Sequence, residues 1–337
     1  MRYIGSKALM LGNILDVSNQ CTQNVRIVTD IFAGTGTVSR CYKEHGYSVL
    51  SNDILYFSYV LNKGVLEMND PISVHLREII THLNNLSVEN CHWFNTDTAF
   101  IYQNYSPHDT CERMYFQRNN ALKIDLIRQE IERLRKEIED AEYFYLLSLL
   151  LNAVPYVSNI TGTYGAYLKY WDKRTYKELT LEEIDIQPSS VVCSCYNQDA
   201  LSFAHQMECD LAYLDPPYNG RQYLSNYHIL ETIARYDAPQ IKGITGVRID
   251  PGKMSDFCKK GRAATAFRQL LNTLNCKYVL LSYNNEGLLN TDEMSQIVRD
   301  AGKANTFRLF EYGYRRYKNK IPNNTDGLKE QLYFIEK

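Results

Sequence analysis

Residues 26–37 read Arg-Ile-Val-Thr-Asp-Ile-Phe-Ala-Gly-Thr-Gly-Thr. The first half is a short apolar run that predicts a β-strand, and the second half is a glycine turn leading into a helix from Thr37. The glycines permit positive φ angles and a close approach of the backbone to a ligand. Ser39 stands where the third glycine of the dinucleotide-binding pattern would fall. This strand–turn–helix unit predicts an α/β fold with a nucleoside-like ligand at the end of the strand.

The next apolar run, residues 47–50, supports that prediction because an acidic side chain follows it. Asp53 lies 23 residues after Asp30. An acidic residue at the end of the second strand of such a unit is placed to accept hydrogen bonds from ribose hydroxyls. A second role for Asp53, as the N-cap of the following helix, is compatible with the same position.

Residues 211–214 form another apolar run, and Asp215, Pro216, Pro217 and Tyr218 come directly after it. Prolines cannot continue a helix or a central strand. The Pro216 carbonyl therefore has no local partner and can accept a hydrogen bond from a ligand. A carboxylate, this carbonyl and a tyrosine ring suit a planar heterocycle with an exocyclic amino group. A surface turn with Tyr218 packed at its rim is the alternative.

Together, residues 30–36 and 215–218 resemble the motifs of the S-adenosylmethionine-dependent DNA adenine-N(6) methyltransferases. The cofactor motif precedes the catalytic motif, with a long insert between them, as in the α-ordered, Dam-like class. Residues 2–7 resemble the N-terminal segment of that class, which lines the methionine end of the cofactor. Residues 196–200 resemble its third cofactor element, and Asp199 matches the acidic residue that bonds the adenine of the cofactor.

The resemblance implies a class I methyltransferase fold, which is a doubly wound α/β sheet of about seven strands with the last one antiparallel. Residues 1–60 and 190–337 would form the catalytic domain, and residues 61–189 an inserted, mostly helical target-recognition domain. Within the insert, apolar residues at three- and four-residue steps predict one long helix over 121–151 with a solvated charged face. Strands are predicted near residues 27–32, 47–51, 190–196, 210–214, 277–283, 306–312 and 331–336.

Site residues follow from the same resemblance. Asp215, Pro216, Pro217 and Tyr218 would be catalytic. The cofactor would be bound by Tyr3, Gly5, Lys7, Asp30, Phe32, Ala33, Gly34, Gly36, Asp53, Ile54, Asp199 and Ala200. We expect DNA contacts from Arg221 and Asn226, which follow the catalytic motif, and from Tyr164 and Lys169, in a loop rich in small and aromatic residues. His228 is expected to be a packed or capping residue, and no metal is required.

The implied function is transfer of a methyl group from S-adenosyl-L-methionine to a flipped adenine in double-stranded DNA. This fits the modification enzyme of a restriction–modification system, with a cognate endonuclease acting separately. N(4)-cytosine methylation and RNA methylation stay open as alternatives. A 5-methylcytosine enzyme would need a cysteine after a proline, and no such pair occurs. The incomplete glycine pattern argues against a nicotinamide oxidoreductase, and the intact motifs argue against a degenerate, non-catalytic DNA-binding protein.

Composition restricts the remaining possibilities. The 337 residues carry a net charge of −2, but basic residues concentrate at 242–268 and 308–329, and phosphate binding depends on such local basic surfaces rather than on net charge. The nine cysteines include no Cys-x-x-Cys, which favours reduced thiols over a zinc site. No apolar run approaches the roughly 20 residues that span a bilayer. We therefore expect a cytoplasmic, nucleoid-associated protein with no membrane partner.

Overall fold

The computed structural model describes residues 4–220, 222–250, 254–313 and 327–337. Seven strands form its main sheet in the order β3-β2-β1-β4-β7-β9-β8. These strands are β1 (Ile27–Asp30), β2 (Ser48–Asn52), β3 (Cys193–Tyr196), β4 (Glu208–Leu214), β7 (Asn275–Asn284), β8 (Arg308–Gly313) and β9 (Lys329–Glu336). A separate hairpin, which the sequence did not predict, consists of β5 (Ile241–Lys242) and β6 (Val247–Arg248).

The pairing directions confirm the predicted sheet. β1 pairs in parallel with β2 and β4, and β4 pairs in parallel with β7. β9 is antiparallel to both of its neighbours, β7 and β8. Asp30 pairs with Tyr213, so the carboxyl ends of β1 and β4 lie side by side. At this point the strand order reverses, and open α/β sheets place their ligands at such a reversal.

The helices begin and end as follows: α1 (Leu11–Cys21), α2 (Thr37–Glu44), α3 (Tyr56–Leu66), α4 (Val74–Asn84), α5 (Phe100–Tyr105), α6 (Arg118–Leu134), α7 (Asp140–Val157), α8 (Ala200–Ala204), α9 (Tyr223–Arg235), α10 (Ala263–Thr273) and α11 (Thr291–Asp300). Apolar residues of α10 and α11 pack on β4 and β7, whose side chains are buried in nearly continuous runs. This burial on both faces is typical of central parallel strands. Among the described helices, none combines the length and the apolar character that crossing a bilayer requires.

The chain divides into two compact units. Unit 1 comprises residues 1–6, 55–195 and 223–253, and unit 2 comprises residues 7–54, 196–222 and 254–337. Unit 1 thus contains the predicted insert together with the segment from α9 to the β5–β6 hairpin. The division falls inside β3, after Cys195. The assignment of a target-recognition role to the insert stays a prediction.

The single long helix predicted over residues 121–151 is wrong, because α6 ends at Leu134 and α7 begins at Asp140. Glu139 and Glu142 form a reciprocal capping box that starts the second helix. The charged face is also not uniformly solvated. The Arg128 guanidinium is buried and donates hydrogen bonds to the carbonyls of Ile233 and Ala234, near the carboxyl end of α9.

Candidate active site

The glycine turn after β1 has the backbone that its sequence predicts. Gly34 and Gly36 have φ angles of +54° and +75°, in the left-handed region that favours glycine. The Ala33 N–H donates to the Asn52 carbonyl at 3.0 Å, and the Gly36 N–H donates to the Ala33 carbonyl at 2.8 Å. These bonds hold the turn against the end of β2, and α2 starts directly after Gly36.

Asp53 lies beside this turn. Its carboxylate accepts a hydrogen bond of 2.9 Å from the Gly34 N–H. The Asn197 amide donates to the backbone carbonyls of Asp53 and Ile54, which fixes the chain after β2. Asp53 does not cap the next helix, because the N-cap of α3 is Leu55, which makes no side-chain capping bond. The half-buried carboxylate therefore belongs to the glycine turn.

Asn52 has a positioning role that sequence reasoning missed. Its side chain is buried and donates to the carbonyls of Ile31 and Gln198, each at 3.2 Å. Its amide oxygen accepts a bond from the Gln198 N–H at 3.0 Å. The side-chain amide of Asn52 thus connects, through hydrogen bonds, the segments that follow β1, β2 and β3. The only sequence signal was a polar side chain at the end of an apolar strand.

The other predicted cofactor residues lie in several different segments of the chain. Asp199 is exposed and caps α8, since its carboxylate accepts bonds from the Leu201 and Ser202 N–H groups. Ala200, the next residue, is buried. The ring of Phe32 contacts Phe257 edge-on. Gly5 has a positive φ of 76°, and Tyr3 lies outside the described residues.

The Asp215 carboxylate follows β4 and is paired with a buried lysine. Lys7 Nζ lies 3.0 Å from Asp215 Oδ1 and 3.4 Å from Glu330 Oε2, and it also lies 5.7 Å from the centre of the Tyr218 ring. The side chain of Asp215 is 17% exposed, whereas that of Lys7 is 3% exposed. Among the described residues, none bonds Asp215 Oδ2. Burial raises the pKa of Asp215 to about 6, with Lys7 opposing and Glu330 adding to the rise.

Asp30 adds a second buried carboxylate at the neighbouring strand end. Ser39 Oγ donates to Asp30 Oδ2 at 2.7 Å, so the residue in the place of the third glycine supports an acidic side chain. Asp30 Oδ1 is buried and accepts no hydrogen bond from a described residue. Burial raises the pKa of Asp30 to about 7, and the charges of Asp215 and Asp53 contribute to the rise. The site therefore concentrates negative charge that a cation would stabilise.

The proline turn leaves one acceptor available. No described residue donates to the Pro216 carbonyl, whereas the Tyr218 carbonyl accepts a bond of 3.0 Å from the Leu288 N–H. The half-buried ring of Tyr218 meets Tyr283 edge-on at 6.4 Å. Pro217, which lies between Pro216 and Tyr218 in the chain, is half-buried. A carboxylate oxygen and a carbonyl oxygen thus lie on consecutive residues beside an aromatic ring.

The described residues that were predicted to contact DNA differ in their exposure to solvent. Tyr164 is 1% exposed, and its hydroxyl is bonded to Ser158 Oγ. Asn226 is buried, and its carbonyl accepts a bond from the Tyr164 N–H. Both burials argue against the direct DNA contacts that the sequence analysis assigned and indicate a structural role. Lys169 is exposed, and Arg221 lies outside the described residues.

His228 is packed, as its sequence context predicted. The side chain is fully buried, and Nε2 lies 3.0 Å from the Tyr164 carbonyl. Burial lowers the pKa of this histidine to about 4. The imidazole is therefore neutral at physiological pH and belongs to the packing of α9.

Several basic side chains of the segment 242–268 are paired with carboxylates of the protein. Arg248 is buried and bridged to Asp237 at 2.8 Å. Ion pairs also join Lys259 and Arg262 to Asp256, and Arg268 to Asp300. The local charge excess in the sequence therefore overstates the positive surface of this segment. Most of the second basic segment, residues 314–326, lies outside the described residues.

The sheet order, the glycine turn after β1 and the carboxylate–proline turn after β4 together define the class I methyltransferase fold. Residues 3–297 match the model of the D12 class N6 adenine-specific DNA methyltransferases. The chain belongs to this family.

Three relatives illustrate the extent of the likeness. The Type II methyltransferase M.FokI of Planomicrobium okeanokoites is 42% identical over 346 residues, which cover 100% of this chain and 53% of that protein. Modification methylase StsI of Streptococcus sanguinis is 38% identical over 347 residues, covering 100% of this chain and 52% of StsI. The Type II methyltransferase M.NlaIII of Neisseria lactamica is 35% identical, covering 100% of this chain and 99% of M.NlaIII. The chain thus spans about half the length of the first two relatives and nearly all of the third.

Proposed function

We propose that this protein transfers a methyl group from S-adenosylmethionine to the N6 amino group of adenine in double-stranded DNA. The observation that carries the proposal is the pair of acceptors after β4. Asp215 Oδ2 and the Pro216 carbonyl have no described partner, and they lie on consecutive residues beside Tyr218. An amino group on an aromatic ring offers two N–H donors, which matches two such acceptors.

The chemistry of the site fits the cofactor. S-adenosylmethionine carries a sulfonium and an ammonium, and it supplies an electrophilic methyl group when bound. Buried Asp30 Oδ1 lacks a described hydrogen-bond partner, and the charges of Asp215 and Asp53 contribute to the raised pKa of Asp30, so the site favours a cation. We assign Asp53 to the ribose hydroxyls, Asp199 to the cofactor adenine, and the turn at Gly34 to close backbone contact. The other predicted cofactor residues remain part of this assignment.

Asp215 and the Pro216 carbonyl act on the target amino group. Accepting both N–H hydrogens localises the nitrogen lone pair, which is otherwise delocalised into the ring, and stabilises the positive charge that develops during transfer. With a pKa of about 6, Asp215 is mainly ionised at neutral pH. Stacking on Tyr218 holds the base in line for transfer. Because the amino group is inaccessible within a duplex, the base must leave the helix.

For DNA recognition, we propose the loop after α7 in unit 1. Lys169 and Tyr170 are exposed there, and a cation beside an aromatic ring suits phosphate and base contacts. The loop is held by Asn159, whose buried amide donates to the carbonyls of Met114, Leu168 and Tyr170. Such anchoring presents the exposed side chains in one arrangement. We retain Arg221 as a further candidate and assign unit 1 to target recognition.

The biological setting is part of the same proposal. The relatives are named as modification methylases and Type II methyltransferases. We infer that this protein modifies the recognition sites of a restriction–modification system, with a cognate endonuclease acting separately on unmethylated copies. Its substrate would then be chromosomal DNA, which places it at the nucleoid of the cytoplasm.

The test is incubation with radiolabelled S-adenosylmethionine and genomic DNA from a strain that lacks DNA methylation, followed by nucleoside analysis. We expect label in N(6)-methyladenine. Asp215→Ala should abolish labelling and retain cofactor binding, whereas Asp16→Ala, at an exposed position of α1, should behave as wild type. Label in N(4)-methylcytosine would overturn the base assignment. No label in DNA, with cofactor binding intact, would overturn DNA as the substrate.

A further inference from the structure

A second acidic residue, on strand β9, lies beside Lys7. Glu330 lies on β9, where its backbone pairs with Asn284 of β7 and Tyr312 of β8. The residue is 3% exposed, and Oε2 lies 3.4 Å from Lys7 Nζ. Because strands flank it on both sides, the position of Glu330 is set by the sheet. No sequence motif pointed to this residue.

Burying this carboxylate carries a cost that a neutral residue would avoid. Glu330 Oε2 accepts no hydrogen bond from a described residue, so the ion pair with Lys7 is its compensation. Lys7 in turn forms ion pairs with two carboxylates, those of Asp215 and Glu330. The three ionised groups together carry a net charge of −1. A buried charge without full pairing is unfavourable by several kcal/mol in general. A glutamine of nearly the same shape would remove that cost, so the charge of Glu330 requires an explanation.

We propose that Glu330 is a positioning residue for catalysis, which acts on Asp215 by sharing the Lys7 ammonium. This proposal rests on the proposed function. If Lys7 had only Asp215 as a partner, its donors would converge on that carboxylate and weaken it as an acceptor. With Glu330 as a second partner, Lys7 lies 3.0 Å from Asp215 Oδ1, and Asp215 Oδ2, which no described residue bonds, can accept from the substrate amino group.

The surrounding charges support this assignment. Glu330 raises the pKa of Asp215, and Lys7 lowers it. A more basic carboxylate is a stronger acceptor for a nitrogen that becomes positive. Several charged or titratable side chains interact electrostatically around Asp215 and Lys7. They are Lys7 before α1, Asp30 and Asp53 at the ends of β1 and β2, Tyr213 of β4, Tyr218 after β4, and Glu330 of β9.

The test compares Glu330→Gln with wild type in the dependence of kcat/KM on pH. Removing the charge should lower kcat/KM at neutral pH roughly threefold to tenfold and move the acidic limb to lower pH, without changing cofactor affinity. Glu336→Gln is the matched control, since this glutamate is on the same strand but pairs with exposed Lys303. A purely structural defect would instead lower activity equally at every pH.

A second comparison tests whether Lys7 transmits the effect. In a Lys7→Met background, Glu330→Gln should move the acidic limb by a different amount, because the shared ammonium is gone and only the direct repulsion between the two carboxylates remains. If Glu330→Gln alone fails to fold, the double variant has neither buried charge and should fold better than Lys7→Met alone. An identical effect of Glu330→Gln in both backgrounds, or an unchanged pH profile with wild-type kcat/KM, would overturn the proposal.

A readout without turnover separates this inference from the proposed function. Titration of ¹³C-labelled aspartate, with the Asp215 signal assigned by Asp215→Asn, should give a lower pKa for Asp215 in Glu330→Gln. An unchanged titration would overturn the inference even if the wild-type enzyme methylates DNA. Conversely, a shifted titration in a protein that fails to methylate DNA would refute the proposed function alone.

Discussion

Replacing Asp30 with asparagine should reverse its effect on stability between acidic and alkaline pH. The carboxyl is 1% exposed, with one oxygen bonded to Ser39 and the other without a described partner. Burial raises its pKa from 3.8 to about 7. A group whose folded pKa is raised stabilises the fold fully below its unfolded pKa, and this contribution is lost as pH rises through the folded value.

The size of the effect follows from the pKa values. Each pKa unit corresponds to about 1.4 kcal/mol, so ionisation of Asp30 should destabilise the wild type by about 4 kcal/mol in total. About 3 kcal/mol of this destabilisation develops as the pH rises from 5 to 8.5. Asparagine does not ionise, but its amide would place an unsatisfied donor beside buried neighbours, which costs about 1–3 kcal/mol. Asp30→Asn should therefore be less stable than wild type at pH 5 and more stable at pH 8.5.

Urea unfolding of both proteins at the two pH values measures the difference directly. Asp16→Asn is the matched control, because this aspartate is exposed on α1 in the same unit. It should leave the free energy of unfolding unchanged at both pH values. If the difference between wild type and Asp30→Asn were independent of pH, Asp30 would not be a buried acid with a raised pKa.

Three further changes test the cofactor and DNA assignments. Asp53→Ala should weaken cofactor binding by about 1.5–3 kcal/mol for each ribose hydrogen bond lost; calorimetry that finds equal affinity would rule out the ribose role. Asn159→Ala should destabilise the protein by about 3 kcal/mol in urea unfolding, because it leaves several buried carbonyls unpaired. It should also weaken DNA binding without altering cofactor affinity, and unchanged DNA affinity would show that the loop does not depend on Asn159. Lys169→Ala should weaken binding equally to all DNA sequences and reduce the salt dependence by about one phosphate contact; an unchanged salt slope would remove Lys169 from the interface.

Local sequence patterns were sufficient to predict where the strands of the main sheet lie. Continuous apolar runs marked β4 and β7 because strands buried on both faces have no polar side to alternate with. The antiparallel end of the sheet was implied by the resemblance to class I methyltransferases, and the pairing of β9 agrees with it. The boundaries of the helices in the insert were harder to predict, since the helical periodicity of apolar residues continues through a short break between two helices. Only the capping box at Glu139 shows where α7 begins.

The sequence by itself determined which side chains end the strands, because motifs such as residues 30–36 and 215–218 are local and depend on backbone chemistry. It did not determine which distant groups meet there. Tertiary structure alone brought Glu330 to Lys7 and placed Tyr164 in the interior. It also neutralised Arg248 with Asp237. Burial and ion pairing depend on residues far apart in the chain, whereas a strand, a turn or a cap depends on neighbours.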